Sequence, residues 1–229
     1  HILDDANFNQ AEFLRQVAAC PICPKSSCPS PERYMNAYHT PAEHVYVVTL
    51  SANLSGSYNS AVLGKNLYIE QYGEKQIHIV NSCSASCGET QIALRAMALE
   101  EEGLPFETIV EELERFRSEM NTYFVLDNLE TLRKNGRLSG VKALVASTLN
   151  IKPVMQGTRE GTIMQKAQGI GIKKALQKMA DALAREVKNE KDKVLMITHC
   201  NNPQRAESFK QLVLSKIKVK DVLIMDTAG

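Results

Sequence analysis

The sequence predicts an α/β protein in two parts, a parallel-sheet α/β domain over residues 1–125 and an α+β domain over 126–229. Two observations carry this. Short apolar, β-branched runs (Val45–Leu50, Ile77–Val80, Tyr123–Leu126) alternate with helix-length amphipathic stretches, which is the pattern of βαβ units. After residue 126 the alternation gives way to a strand, a turn-rich stretch and a second strand, a hairpin with helices alongside. The change of pattern places the boundary near residues 122–128. A chain of 229 residues, 44% of them apolar, can fill two modest cores.

The first domain reads as follows. Asn9, with Glu12 three residues later, forms a capping-box pattern opening a helix that carries Phe13, Leu14 and Val17 and is ended by Pro21 and Pro24. Ser26 and Ser27 fall in the polar loop that follows. Ser30 as N-cap and Pro31 at the first helical position start a second helix, with Tyr34, Met35 and Tyr38 inward. Val45 to Leu50 is a strand ended by Ser51, Ala52 and Asn53, and a helix begins near Tyr58. Ile77 to Val80 is the next strand, with His78 on its polar face, followed by a turn at Asn81–Ser84 and a helix carrying Ile92, Ala93, Ala96 and Met97. Pro105 starts another helix, lined by Ile109, Leu113 and Phe116, and Tyr123 to Leu126 returns as a strand of the parallel sheet.

In the second domain Leu129 and Leu132 occupy a short helix that Asn135–Gly136 ends, and Arg137–Leu138–Ser139–Gly140 leads to another helix through Leu144 and Val145. Ile151 to Met155 is a strand despite Pro153, which places it at an edge or an irregular start. Gln156–Gly161 is a turn before the strand-like Thr162–Gln165. A long helix with Ile172, Ala175, Leu176, Met179, Leu183 and Val187 on one face follows, then a strand at Val194–Thr198, a helix from Asn202–Pro203 and a last strand at Val219–Met225. Since the chain opens on His1 and stops at Gly229 directly after a strand, both ends are read as cut from a longer protein.

Composition excludes several classes. Lys plus Arg is 27 against 26 for Asp plus Glu, so no general basic field attracts nucleic acid. No apolar run approaches the roughly 18–20 residues that span a bilayer, and a cytoplasmic protein is expected. Six cysteines include Cys20–Cys23 and Cys83–Cys87, but neither pair has the glycine knuckle of a zinc site, so no metal is expected and free thiols are the default.

The chemistry concentrates at Ser51–Ser57. A strand, a turn of small residues and a helix N-terminus together offer unpaired N–H donors, a favourable dipole end, a Gly56 that permits close approach, and the hydroxyls of Ser55 and Ser57. Such a pocket suits a carboxylate or a phosphate; equally, Ser55 or Ser57 could simply cap the helix. A hydrolase or transferase using Ser55 as nucleophile is a rival reading, but the sequence lacks a G-x-S-x-G elbow and shows no acidic partner for His199. A phosphate-ligand binder is another, without a P-loop to support it. No catalytic residue is assigned.

Four separated segments, Ser26–Pro31, Leu54–Ala61, Leu129–Ser139 and Ile151–Pro153, resemble the DegV family of bacterial fatty-acid-binding proteins, in order and over nearly the whole chain. The resemblance implies a two-domain protein holding one long-chain fatty acid, such as palmitate or oleate, between its domains, without any cofactor. It implies that hydroxyls of Ser26 and Ser55, beside Ser27 and Gly56, bind the carboxylate. It also implies a non-enzymatic carrier that presents the acid to a dihydroxyacetone-kinase-like fatty-acid kinase, with Arg137 near the carboxyl end of the site, on the phosphoryl-transfer surface. Three features depart from the family pattern: no strand ending in Asp-Ser precedes His1, Cys28 stands where relatives often have Gln, and Thr227 stands where some have His.

Overall fold

The computed structural model describes residues 2–138, 141 and 150–227. They form two compact units. The contact-defined units cut the chain differently from a division at 125/126: one comprises residues 26–122 with 157–162, the other the described residues of 1–25, 123–156 and 163–229.

In the first unit β1 (His44–Thr49) and β2 (Gln76–Asn81) pair in parallel, with Val45 opposite Ile77 and Val48 opposite Val80. Helix α3 (Ser57–Tyr72) makes the crossover, α2 (Pro31–Tyr38) packs on α3, and α4 (Cys87–Glu101) and α5 (Phe106–Glu119) follow β2. The period-two alternation of β2 decides the layering. Ile77 and Ile79 enter a cluster with Tyr38, Ala61 and Tyr68, whereas Val80 enters the other with Ile92, Leu99, Ile109 and Leu113. Both faces are thus covered by helices, as a parallel pair requires.

Two details fix α2 against α3. The buried Tyr38 hydroxyl donates to the Ala61 carbonyl at 2.9 Å, and Gly64 lets the helices touch, since a Cβ there would lie 2.6 Å from the Pro31 carbonyl oxygen and 2.8 Å from the Tyr34 Cβ. The caps read from the sequence are present: Ser30 accepts from Arg33 N–H (3.3 Å) with Pro31 at the first helical position, and in the other unit Asn9 accepts from Glu12 N–H (3.0 Å) at the start of α1 (Gln10–Ala19).

The second unit also contains β3 (Tyr123–Phe124), α6 (Glu130–Lys134), β4 (Ile151–Gly157, its last residue grouped with the first unit), β5 (Ile163–Ile170), α7 (Gly171–Glu186), β6 (Val194–His199), α8 (Pro203–Leu214) and β7 (Asp221–Asp226). Strand order is β3-β4-β5 in one sheet and β6-β7 in another. Val154, Ala175, Met179, Ala180, Phe209 and Val213 form the core.

Two expectations need correcting. The strand at Tyr123 does not extend the parallel sheet: it is two residues long and pairs antiparallel with β4, because Tyr123 and Val125 pack into the core of the second unit. β4 is central in its sheet rather than an edge strand, yet Pro153 still lacks a ladder partner on the β3 side, where pairing stops at Phe124–Met155. The expected strand, helix and strand at the end of the chain form a parallel pair, β6 and β7 running from Val194–Asp221 to His199–Asp226 with α8 as the crossover. The expected helix through Leu144 and Val145, like Ser139, Gly140, Ala228 and Gly229, lies outside the described residues. Among the described residues no helix is long and apolar enough to cross a membrane.

Candidate functional site

The carboxyl ends of β1 and β2 lie side by side, and the loops that leave them are sewn together by hydrogen bonds. Ser51 N–H donates to the Ser84 carbonyl (2.9 Å), Ser82 N–H to the Thr49 carbonyl (3.2 Å) and Ala52 N–H to Asn81 Oδ1 (3.0 Å). Ser51 and Ser82 are wholly buried, and Ser51 Oγ donates to the Gly161 carbonyl at 2.7 Å. Gly161 has φ +81°, and a Cβ there would sit 2.2 Å from Ser51 Oγ, so both its conformation and the space demand glycine. This floor holds the next turn: Leu54 and Ser55 N–H both donate to the Ser51 carbonyl, at 2.9 and 3.0 Å.

Ser55 therefore arrives at the start of α3 on a fixed backbone. Its half-buried Oγ accepts Ser57 N–H (3.2 Å) and lies 3.0 Å from Ser57 Oγ. The N-cap is Gly56, which has no side chain to cap with, so Ser55 takes one first-turn donor from the position before. Gly56 also admits the neighbouring loop, since a Cβ there would be 3.2 Å from Cys28 Sγ, and Cys28 Sγ lies 3.6 Å from Ser60 Oγ. The segment Cys28–Tyr34 thus rests on the start of α3. Ser26 and Ser27 precede it in the loop and are exposed, with no side-chain hydrogen bond among the described residues.

Tyr34 reaches the same place from α2. Burial raises its phenol above the usual range, and Cys28 and Glu89 add to the rise against the opposing influence of the Ser57 hydroxyl. The Glu89 carboxylate accepts Ser86 N–H at 2.9 Å in the capping box of α4; burial lifts it above the ordinary carboxylate range against that bond. The sequence marked Tyr34 only as an inward-facing helical residue.

Arg137 belongs to the other unit and is exposed. Its N–H donates to the Leu132 carbonyl (2.9 Å) and its guanidinium to the Asn135 carbonyl, so a tight turn shapes it. Asn135 Nδ2 donates to the Pro24 carbonyl (3.0 Å), tying this turn to the segment just before Ser26. His199, for which the sequence showed no acidic partner, has one: its Nδ1 is 3.2 Å from Asp226 Oδ1 because β6 and β7 pair these residues in register. All six cysteines are free, and among the described residues no group of three His, Cys, Asp or Glu side chains could hold a metal.

As a whole the turn can present hydroxyl donors and helix-start N–H groups to an anion. A sequence model described as "Uncharacterised protein, DegV family" matches residues 2–228. A DegV domain-containing protein of Streptococcus pneumoniae is 32% identical over 230 residues, covering 99% of this chain and 80% of that protein. A crystal structure of a DegV-family protein of Ruminococcus gnavus, refined with vaccenic acid, superposes with a TM-score of 0.96 at 57% identity, over 99% of this chain and 80% of that one. The Streptococcus pneumoniae fatty acid kinase B3 protein loaded with linoleic acid gives a TM-score of 0.88 at 29% identity, over 100% of this chain and 80% of that one.

Proposed function

The chain belongs to the DegV family, and from that premise we propose that it binds one long-chain fatty acid, such as palmitate or oleate, and serves as a carrier rather than an enzyme. The observation that carries the reading is the match, at 57% identity over 99% of this chain, to a protein refined with vaccenic acid. The carboxylate is assigned to Ser55 Oγ and to Ser26, with Ser27 and the Gly56 backbone alongside. Ser55 is held for this by the sewn loops beneath it, and hydrogen bonds to a charged acceptor are the strong ones. Two hydroxyls and helix-start N–H groups satisfy a carboxylate without a buried cation. The alkyl chain supplies the affinity: at about 0.8 kcal/mol per buried CH₂, a chain of roughly sixteen carbons outweighs the cost of ordering the ligand.

The reading extends to a partner. A dihydroxyacetone-kinase-like fatty-acid kinase phosphorylates the bound carboxylate, and the exposed Arg137 offers its planar donors to the transferred phosphoryl group. The likeness to the Streptococcus pneumoniae fatty acid kinase B3 protein supports this step, and Thr227 at the position of a family His makes it the step most in need of a test. Reconstitution of the purified chain with that kinase, ATP and oleate provides it. Acyl-phosphate forms only when both proteins are present, and Arg137→Ala abolishes it while sparing oleate binding. Oleate binding without acyl-phosphate removes the kinase, unchanged phosphorylation of the variant removes Arg137, and ATP turnover by this chain alone makes it an enzyme.

A further inference from the structure

The Ser26–Ser27 loop is exposed, and something must hold it at the start of α3 if its hydroxyls are to share a ligand with Ser55. Cys28 makes that contact. Its sulfur lies where a Cβ on Gly56 would be 3.2 Å away, closer than ordinary van der Waals contact, and it is 3.6 Å from Ser60 Oγ. Gly56 and Ser60 belong to one helical turn, closed by the Ser60 N–H donating to the Gly56 carbonyl at 3.0 Å, so the seat of the sulfur is rigid. The chain beyond Cys28 is fixed as well. Cys28 and Ser30 each precede a proline and are biased to extended backbone, Ser30 caps α2, and Gly64 lets α2 lie against α3. In the other direction Ser26 is two residues away, which even a fully extended chain converts to no more than about 7 Å between Cα atoms.

We propose that Cys28 is a positioning residue for the head group: its sulfur, seated over Gly56 and against Ser60, sets where the Ser26–Ser27 loop lies on α3 and thereby the preference for a carboxylate over a neutral head group. The inference rests on the reading that Ser26 and Ser55 hold the carboxylate. Hydrogen bonds to an ionised acceptor are shorter and stronger than those to a neutral one, so a loop that slips loses most where the ligand is charged. The alkyl chain, which makes no such bonds, is indifferent to the slip. Glycine at position 56 is then space kept for a sulfur. A methyl there must push the sulfur by a few tenths of an ångström, and the sulfur carries the loop with it.

The test is titration of delipidated protein with oleate and with oleyl alcohol, for Cys28→Ala, Gly56→Ala and the double variant. The unmodified chain prefers oleate; Cys28→Ala and Gly56→Ala each shrink that preference about threefold to tenfold, and the double variant shrinks it no further than Cys28→Ala alone, because the new methyl enters the space the sulfur has left. Since the preference is a ratio measured within each variant, a general loss of packing cancels. A Cys28→Ala variant that weakens both ligands equally, or neither, overturns the positioning role. So do effects that multiply in the double variant, since the Gly56 methyl would then be acting on the ligand rather than through the sulfur. Ser55→Ala separates the two levels: if it weakens oleate while Cys28→Ala leaves the ratio unmoved, the role of Cys28 alone falls, and if it leaves oleate affinity untouched, the carboxylate reading falls with it.

Discussion

At the scale of the residue, Ser55 combines a contact at the start of α3 with the proposed ligand contact, and two measurements on one substitution tell them apart. Its Oγ accepts the Ser57 N–H, and its proton is assigned to a carboxylate. Ser55→Ala removes both and is expected to weaken oleate binding by about 1.5–3 kcal/mol, the usual range for a hydrogen bond to a charged acceptor, while the lost first-turn acceptor costs about 1 kcal/mol of stability. Ser26→Ala is expected to add to the affinity loss or to cost less on its own, in keeping with its exposed loop. Calorimetric titration and thermal melts of each variant read the two effects apart. A lower melting temperature with affinity unchanged would make Ser55 a capping residue only. Ser55 was legible in the sequence because a strand, small residues and a helix start stand in a row. The aspartate beside His199 was not, since it is 27 positions along the chain and meets it only through strand register.

At the scale of the element, the α2–α3 contact and the end of α7 carry the sharpest consequences. A methyl at Gly64 would meet the Pro31 backbone, which cannot swing aside, so Gly64→Ala is expected to destabilise the protein by about 1–3 kcal/mol and to loosen the Cys28–Tyr34 segment from the start of α3. Denaturant melts check the first effect and oleate affinity the second. In the other unit the Glu186 carboxylate accepts from the Tyr123 hydroxyl and from Gln156 Nε2 (3.1 Å), and pairs with Lys166. Burial pushes its pKa up, but the bonds from Lys166, Tyr123 and Gln156 prevail and hold it below the ordinary carboxylate range. A carboxyl with a depressed folded pKa contributes stability that is present above its unfolded value and is lost as pH falls through the folded one. Acidification below about pH 4.5 is therefore expected to lower the melting temperature of the unmodified chain more than that of Glu186→Gln. The helices and most strands were legible because apolar spacing is local. The partner of the strand at Tyr123 was not, since what places it is the distant core around Val154 and Ala175.

At the scale of the whole molecule, the α/β class and the succession of elements are legible in local patterns, whereas long-range pairings are not. The compact units group α1 with the later residues, where Gln10 Nε2 donates to Asp226 Oδ1 (2.9 Å), and the turn at 157–162 with the earlier ones, where Gly161 accepts from Ser51. Pairings between distant parts of a chain leave no local periodicity to read. Occupancy by lipid should be visible in the stability of the whole. A ligand at 100 times its Kd adds about 2.7 kcal/mol, which for a chain of this size raises the melting temperature by about 5–10 °C. Stripping bound lipid should lower the melting temperature by that amount, and added oleate should restore it while its methyl ester does not. The most direct measurement is native mass spectrometry of the protein purified without added lipid, followed by denaturation to release and weigh whatever it carries. A mass increment matching one long-chain fatty acid per chain is the expected result; a nucleotide or sugar phosphate in its place, with no lipid, would contradict it.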